Sequence, residues 1–232
     1  MTGLPIQPID EELQTLQREV QRMLGRCLLR LQQYEQLMKA IVAHHEISAS
    51  GSPLESNQAE RIADAANKTL GTLVGTLLGT YVTSGEQDEV AEPDAHDNII
   101  SFKMKMSLRM SAEDFDTTQN DLKELVLLRN NLVHHFIDQH DLWSLDGCRG
   151  AQESLVAAYS RVDQHFEQLR GWAEHMDQAR RLAAEFAQSD AFRDLVINGI
   201  APDGSVDWPA AGVVRALREA ADELVVEEWT PV

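Results

Sequence analysis

Cysteine is scarce in this chain of 232 residues: there are two, Cys27 and Cys148. Two thiols build neither a disulfide framework nor a cysteine metal knuckle, and with no secretory leader they point to a reducing cytoplasm. Long apolar runs are missing as well. A spanning helix needs about 20 apolar residues. GTLVGTLLGT, residues 71–80, is too short and too rich in threonine for that, so no membrane partner is expected. Positive charge is in deficit, with 20 Lys and Arg against 38 Asp and Glu and a net charge of −18. That balance favours solubility and opposes loose, sequence-blind binding to nucleic acid. Any nucleic-acid function therefore needs a local basic patch. The rest of the composition, 43% hydrophobic and 25% charged, is that of an ordinary globular protein and excludes wholesale disorder. The length suits one sizeable core and a small second domain.

Apolar spacing organises most of what is present. Residues 1–9, with Pro5 and Pro8, read as a loose arm. From Asp10 to about Ile47 the residues Leu13, Leu16, Val20, Met23, Cys27, Leu31, Tyr34, Met38 and Ile41 step by threes and fours, the seam of a long helix packed in a bundle. Asp10 suits its N-cap, and Cys27 is expected as a small buried hydrophobe. His44 and His45 fall at its polar end. SASGSPLES, 48–56, reads as a loop. A single helix is expected from 57 to 82, with Gly71, Gly75 and Gly79 on one face to let a neighbouring helix approach closely. Residues 83–98 are acidic, contain Gly and Pro, and read as a surface loop.

The period then drops to two. Phe102, Met104, Met106, Leu108 and Met110 alternate with Lys103, Lys105, Ser107 and Arg109, which predicts a half-buried strand with a basic outer face. Lys103, Lys105 and Arg109 either guard a solvated strand edge against aggregation or form a phosphate-contacting strip beside the next helix. SAED, 111–114, is a capping box. A central helix follows over 117–139, a turn region with Trp143 over 141–150, and a long helix over 151–188. A short helix at 190–198, a turn, and a helix at 208–226 complete the chain. The expected fold is mainly α, an up-and-down antiparallel bundle over 10–188 with a short β element and a small helical segment at 189–232.

The chemistry concentrates in LKELVLLRNNLVHHF, 122–136. Leu122, Leu125, Val126, Leu128, Leu132, Val133, Phe136 and Ile137 share a broad arc at about 100° per residue. Arg129 lies near the middle of that arc. A guanidinium there must be paired or face a polar cleft, since an unpaired buried charge costs several kcal/mol. Asn130 and His134, four residues apart, share an adjoining side.

Three readings of this stretch compete. In the first, Arg129 pairs with an acid such as Glu124 or Asp121 and the histidines end the helix. In the second, His134, Asp138 and His140 or Asp141 bind a metal, though no distant cluster completes the set. In the third, the stretch cleaves RNA without metal. Histidine suits proton transfer to and from the attacking and leaving oxygens. Arginine offers a fork of donors to phosphoryl oxygens, and asparagine can orient either. One helix supplies only one such histidine, so a two-histidine mechanism calls for two copies facing each other across a twofold axis.

Arg129-Asn130-Asn131-Leu132-Val133-His134 resembles the signature of the HEPN superfamily: Arg, a polar residue, three residues, then His. The resemblance covers residues 10–188 at the level of helix order. It implies a dimeric helical bundle acting as a metal-independent endoribonuclease, a toxin or phage-defence effector, with Arg129 and His134 catalytic and Asn130 assisting. It implies RNA and a second copy as partners, with an antitoxin or regulator a further candidate, and no cofactor. His135 satisfies a one-residue-longer spacing. The alternative function is a non-catalytic dimeric adaptor with Arg129 in an interface ion pair. The end of the chain, from DGSVDWP onward, resembles the approach to an OST-HTH (LOTUS) RNA-binding module, which is expected to be cut short here.

Overall fold

The computed structural model describes residues 8–50, 54–85 and 101–198. The chain divides into two compact units, residues 1–173 and 174–232.

The first unit is built on α1, Pro8–His44. Its seam behaves as the spacing predicts, with Val20, Met23, Cys27, Leu31, Tyr34, Met38 and Ile41 all buried. α1 ends in β1, Glu46–Ser50, and two shorter helices follow, α2 (Leu54–Ala66) and α3 (Leu70–Thr80). Next come β2 (Val82–Ser84), β3 (Ser101–Lys105) and β4 (Leu108–Met110). The second half of the unit is α4 (Ala112–Asn130), a π-helical turn (Asn131–His135), α5 (Phe136–Gln139) and the start of α6 (Leu145–Ala187).

Contacts between distant residues set the helix directions. Arg149 meets Glu12 at 2.9 Å and Arg30 meets Glu167 at 3.1 Å, so numbers rise together and α1 and α6 run parallel. Gln17 donates to the Leu142 carbonyl while Glu35 faces Arg129, so α4 and its extension run against α1. Lys39 reaches Ala66 O and Gln58 reaches Ala43 O, which makes α2 antiparallel to α1. The result is the expected mainly α, up-and-down bundle. Its core joins the α1 seam to Leu73 and Leu77 of α3, Leu122 and Leu125 of α4, and Leu155, Val162 and Leu169 of α6.

Several boundaries differ from expectation. Ile47 is in a strand rather than in α1, and Ser48–Ser50 pair with β3. The helix expected over 57–82 is two. Asn67, Lys68 and Thr69 interrupt it, and Thr69 caps α3 by accepting from Thr72 N. A threonine oxygen that satisfies a free amide restarts a helix as readily as it continues one. The glycines of α3 are not a close-packing surface: a Cβ at Gly75 or Gly79 would meet nothing within 4 Å, and at Gly71 it would make ordinary contact with Val126.

The strand expected over 102–110 is also two. β3 pairs antiparallel with β1, and β4 pairs parallel with β2. Between them Met106 N donates to His45 O at 2.8 Å and Leu108 N to Tyr81 O at 2.7 Å, so this extended segment ties the ends of α1 and α3 together. His45 is accordingly buried, with Nδ1 2.8 Å from Val42 O, rather than a polar helix end.

The capping box is present in altered form. Ser111 Oγ accepts from Asp114 N and donates to Asp114 Oδ2, and α4 begins at Ala112, earlier than expected. α6 begins at Leu145, inside the expected turn, with Cys148 buried.

The second unit contains the end of α6 and α7, Asp190–Asn198, where a short helix was expected. Ser189 starts α7 by accepting from Phe192 N at 3.1 Å, and the Phe186 and Phe192 rings meet edge to face at 5.7 Å. Of the arm expected over 1–9, Pro8 and Ile9 belong to α1 instead, and residues 1–7 lie outside the described residues, as do most of the acidic loop, the helix expected at 208–226 and the LOTUS-like approach.

Candidate functional site

α4 presents a regular buried row: Thr118, Leu122 and Leu125, continued by Leu132 and Phe136. Arg129 falls on that row between Leu125 and Leu132, as the spacing predicts. Val133 and Ile137 do not; both are exposed, because the buried row is narrower than the expected arc. Arg129 is paired, but with neither Glu124 nor Asp121. Glu124 is taken by Arg161 of α6. The acid facing Arg129 is Glu35 of α1, its Oε1 3.6 Å from Arg129 Nε, with side-chain exposures of 30% for the arginine and 22% for the glutamate. At that distance the contact is an ion pair rather than a hydrogen bond.

The other end of the guanidinium faces its own helix. Arg129 Nη1 donates to Asn130 Oδ1 at 3.3 Å and lies 3.4 Å from His134 Nε2. A guanidinium has no acceptor. A hydrogen bond at this contact is accepted by the Nε2 lone pair, which belongs to the tautomer with its proton on Nδ1.

The π-turn brings the two side chains together. On an unbroken α-helix, residues five apart stand about 140° apart around the axis. Over Asn131–His135 the bonding widens to i→i+5, so the fifth residue returns above the first. The helix resumes at Phe136 after a break at His135, where φ is −126° and ψ 1°. His134 and His135 thereby part: His134 faces Arg129, whereas His135 Nδ1 lies 3.9 Å from Asp138 and the ring is exposed.

The basic strip sits elsewhere. Lys105 and Arg109 are exposed, while the Lys103 side chain lies outside the described residues. Lys105 pairs in register with Glu46, beyond the end of α1. From Glu35 to that end is about 15 Å at 1.5 Å per helical residue, so the strip is not immediately beside Arg129. The set His134, Asp138 and His140 or Asp141 does not converge: among the described residues no group of three His, Cys, Asp or Glu side chains is placed to hold a metal ion.

Sequence spacing passes over Glu35, which joins the site, and His165, which lies in the core. Glu35 lies one position off the α1 seam, and its only signal was an acid beside a core stripe. His165 of α6 is buried, edge-on to Tyr34 at 6.5 Å, and burial pushes its pKa below the ordinary value.

No protein family, curated protein or solved structure matches the chain. Among the described residues no helix is long and apolar enough to cross a membrane.

Proposed function

We propose that this protein is a metal-independent endoribonuclease of the HEPN type, acting as a toxin or phage-defence effector from a site completed by a second copy. The observation that carries the reading is the contact of Arg129 with His134 across the π-turn. It sets a phosphate-binding fork beside an imidazole on a solvent-facing surface.

In the proposed reaction the RNA 2′-hydroxyl gives its proton to His134 Nε2 and its oxygen bonds to phosphorus. Arg129 stabilises the phosphoryl oxygens, and Asn130 holds the guanidinium. The bond from phosphorus to the 5′-oxygen breaks as that oxygen takes a proton from the partner subunit's His134. The products are a 2′,3′-cyclic phosphate and a 5′-hydroxyl. Exposed apolar side chains beside the histidine, Val133 and Ile137, suit a covering second copy. Lys105 and Arg109 supply positive charge for RNA further along the bundle, and an antitoxin or regulator would act by covering the same surface.

A second reading, the non-catalytic dimeric adaptor, is favoured by the net charge of −18, which repels RNA. Glu35 pairs with Arg129 within the chain, so the interface ion pair expected of that adaptor is replaced by an internal one.

Incubation of the full chain with total tRNA and rRNA in EDTA separates the two. The ribonuclease yields 2′,3′-cyclic phosphate ends, and Arg129→Ala abolishes them in a folded protein. Loss of the half-exposed ion pair costs about 1–3 kcal/mol, between surface and buried values. An adaptor leaves RNA intact, and Arg129→Ala then changes stability alone.

A further inference from the structure

We infer that Glu35 is a positioning residue: by holding Nε of Arg129 from the neighbouring helix, it aims Nη1 at His134 and keeps that imidazole in its Nδ1-protonated tautomer. The role in cleavage rests on the ribonuclease reading; the geometric role does not.

An arginine head on a three-methylene arm has many headings, and side-chain entropy favours solvent. Here the head is fixed at two ends that belong to different helices. Nε faces Glu35 of α1, and Nη1 faces Asn130 and His134 across the π-turn. Glu35 is itself held in place, since Tyr34 and Met38, its neighbours on the α1 seam, are fully buried. Neither acid that spacing offered from Arg129's own helix is its partner. Glu124 pairs with Arg161, and Asp121 acts on His165. Glu35 is thus the carboxylate that sets the heading. Its carboxylate meets Nε and leaves Nη1 to the contact with His134.

The tautomer follows from the heading. While Nη1–H points at Nε2, that nitrogen carries the lone pair, and it becomes free to act as a general base when a phosphoryl oxygen takes over the Nη1–H. Freed from Glu35, Arg129 swings away, either ring nitrogen of His134 can carry the proton, and the phosphate loses the fork placed beside the base.

The test uses the full chain and Glu35→Gln, which keeps size and removes charge. Long-range proton–nitrogen NMR of labelled histidine reads the His134 tautomer directly. The wild type is expected to show the Nδ1-protonated form, and Glu35→Gln a mixture of both. Cleavage of RNA in EDTA by Glu35→Gln is expected to fall on the order of 100-fold in kcat with KM unchanged, as for a catalytic group displaced by about 1 Å. Should Glu35→Gln fail to fold, Glu35→Asp keeps the charge but withdraws it by one methylene, and the same two signals should move in the same direction by less.

A variant with wild-type tautomer and wild-type turnover overturns the inference and leaves the ribonuclease standing. If wild type cleaves nothing, the enzyme reading fails. The tautomer then decides alone, and an unchanged His134 in Glu35→Gln overturns the inference.

Discussion

Arg129 Nη1 and His134 Nε2 stand 3.4 Å apart, and His135, the next residue, turns its ring toward Asp138 instead. The adjacent histidines are therefore not interchangeable. Under the proposed mechanism, His134→Ala lowers the cleavage rate by about 10²–10⁴-fold, the usual contribution of a general acid–base. His135→Ala leaves it close to wild type. Initial rates on one RNA substrate with both variants check this, and equal losses would discard the assignment.

Deleting one residue from the π-turn should restore a regular helix without separating the pair. Removal of exposed Val133 leaves Arg129 and His134 four residues apart, which on an α-helix is the same side. The expected outcome is a melting temperature no lower than that of wild type and retained cleavage. Circular dichroism and the tRNA assay measure the two. A fall in stability would mean that the turn is required by packing rather than by the pair.

Ile137 is 76% exposed and Trp143 84% exposed, large apolar groups close in sequence to His134. If they meet a second copy, Ile137→Asp and Trp143→Ser turn a dimer into a monomer, because a charge or a lost aromatic anchor at an interface centre costs about 2 kcal/mol or more. Light scattering after size exclusion reads the mass. A wild type that elutes as a monomer would remove the two-histidine mechanism.

His45 and His165 make stability depend on pH. Burial lowers both pKa values from the ordinary 6.5, against the opposing pull of the Val42 carbonyl and Glu46 on His45 and of Asp121 on His165. The unfolded chain takes up these protons more readily than the folded one. Their neutral forms are therefore accommodated fully above pH 6.5, and stability is lost as pH falls through that value toward the folded pKa values. The melting temperature should drop on acidification, and the double variant His45→Gln, His165→Gln should flatten that slope whatever its absolute stability.

The parts of the fold that were legible in the sequence are those written in local periodicity. The α1 seam from Val20 to Ile41 is one example, and the alternation from Phe102 to Met110 is another, although the latter concealed a change of partner at Met106 and Ser107. β1 was illegible because EISAS has no pattern of its own and is a strand only through β3. Arg129 on a buried row announced that it needed a carboxylate. Nothing in the spacing named Glu35, since that acid comes from another helix. The π-turn was invisible because a reading at constant phase assumes the very periodicity that the turn breaks.

The parallel run of α1 against α6 also bears on how the molecule is made. Cys27 meets the Leu155 carbonyl across 128 residues of sequence. At ribosomal rates of about 5–20 residues per second, the later residue emerges roughly 6–25 s after the earlier one. During that interval the α1 seam around Cys27 and Tyr34 has no α6 to cover it. Arg129 leaves the ribosome sooner and can find Glu35 while the bundle is still open. A nascent chain in which Arg129 has left the ribosome and Leu155 has not should therefore expose the apolar seam to chaperones with the candidate site already paired.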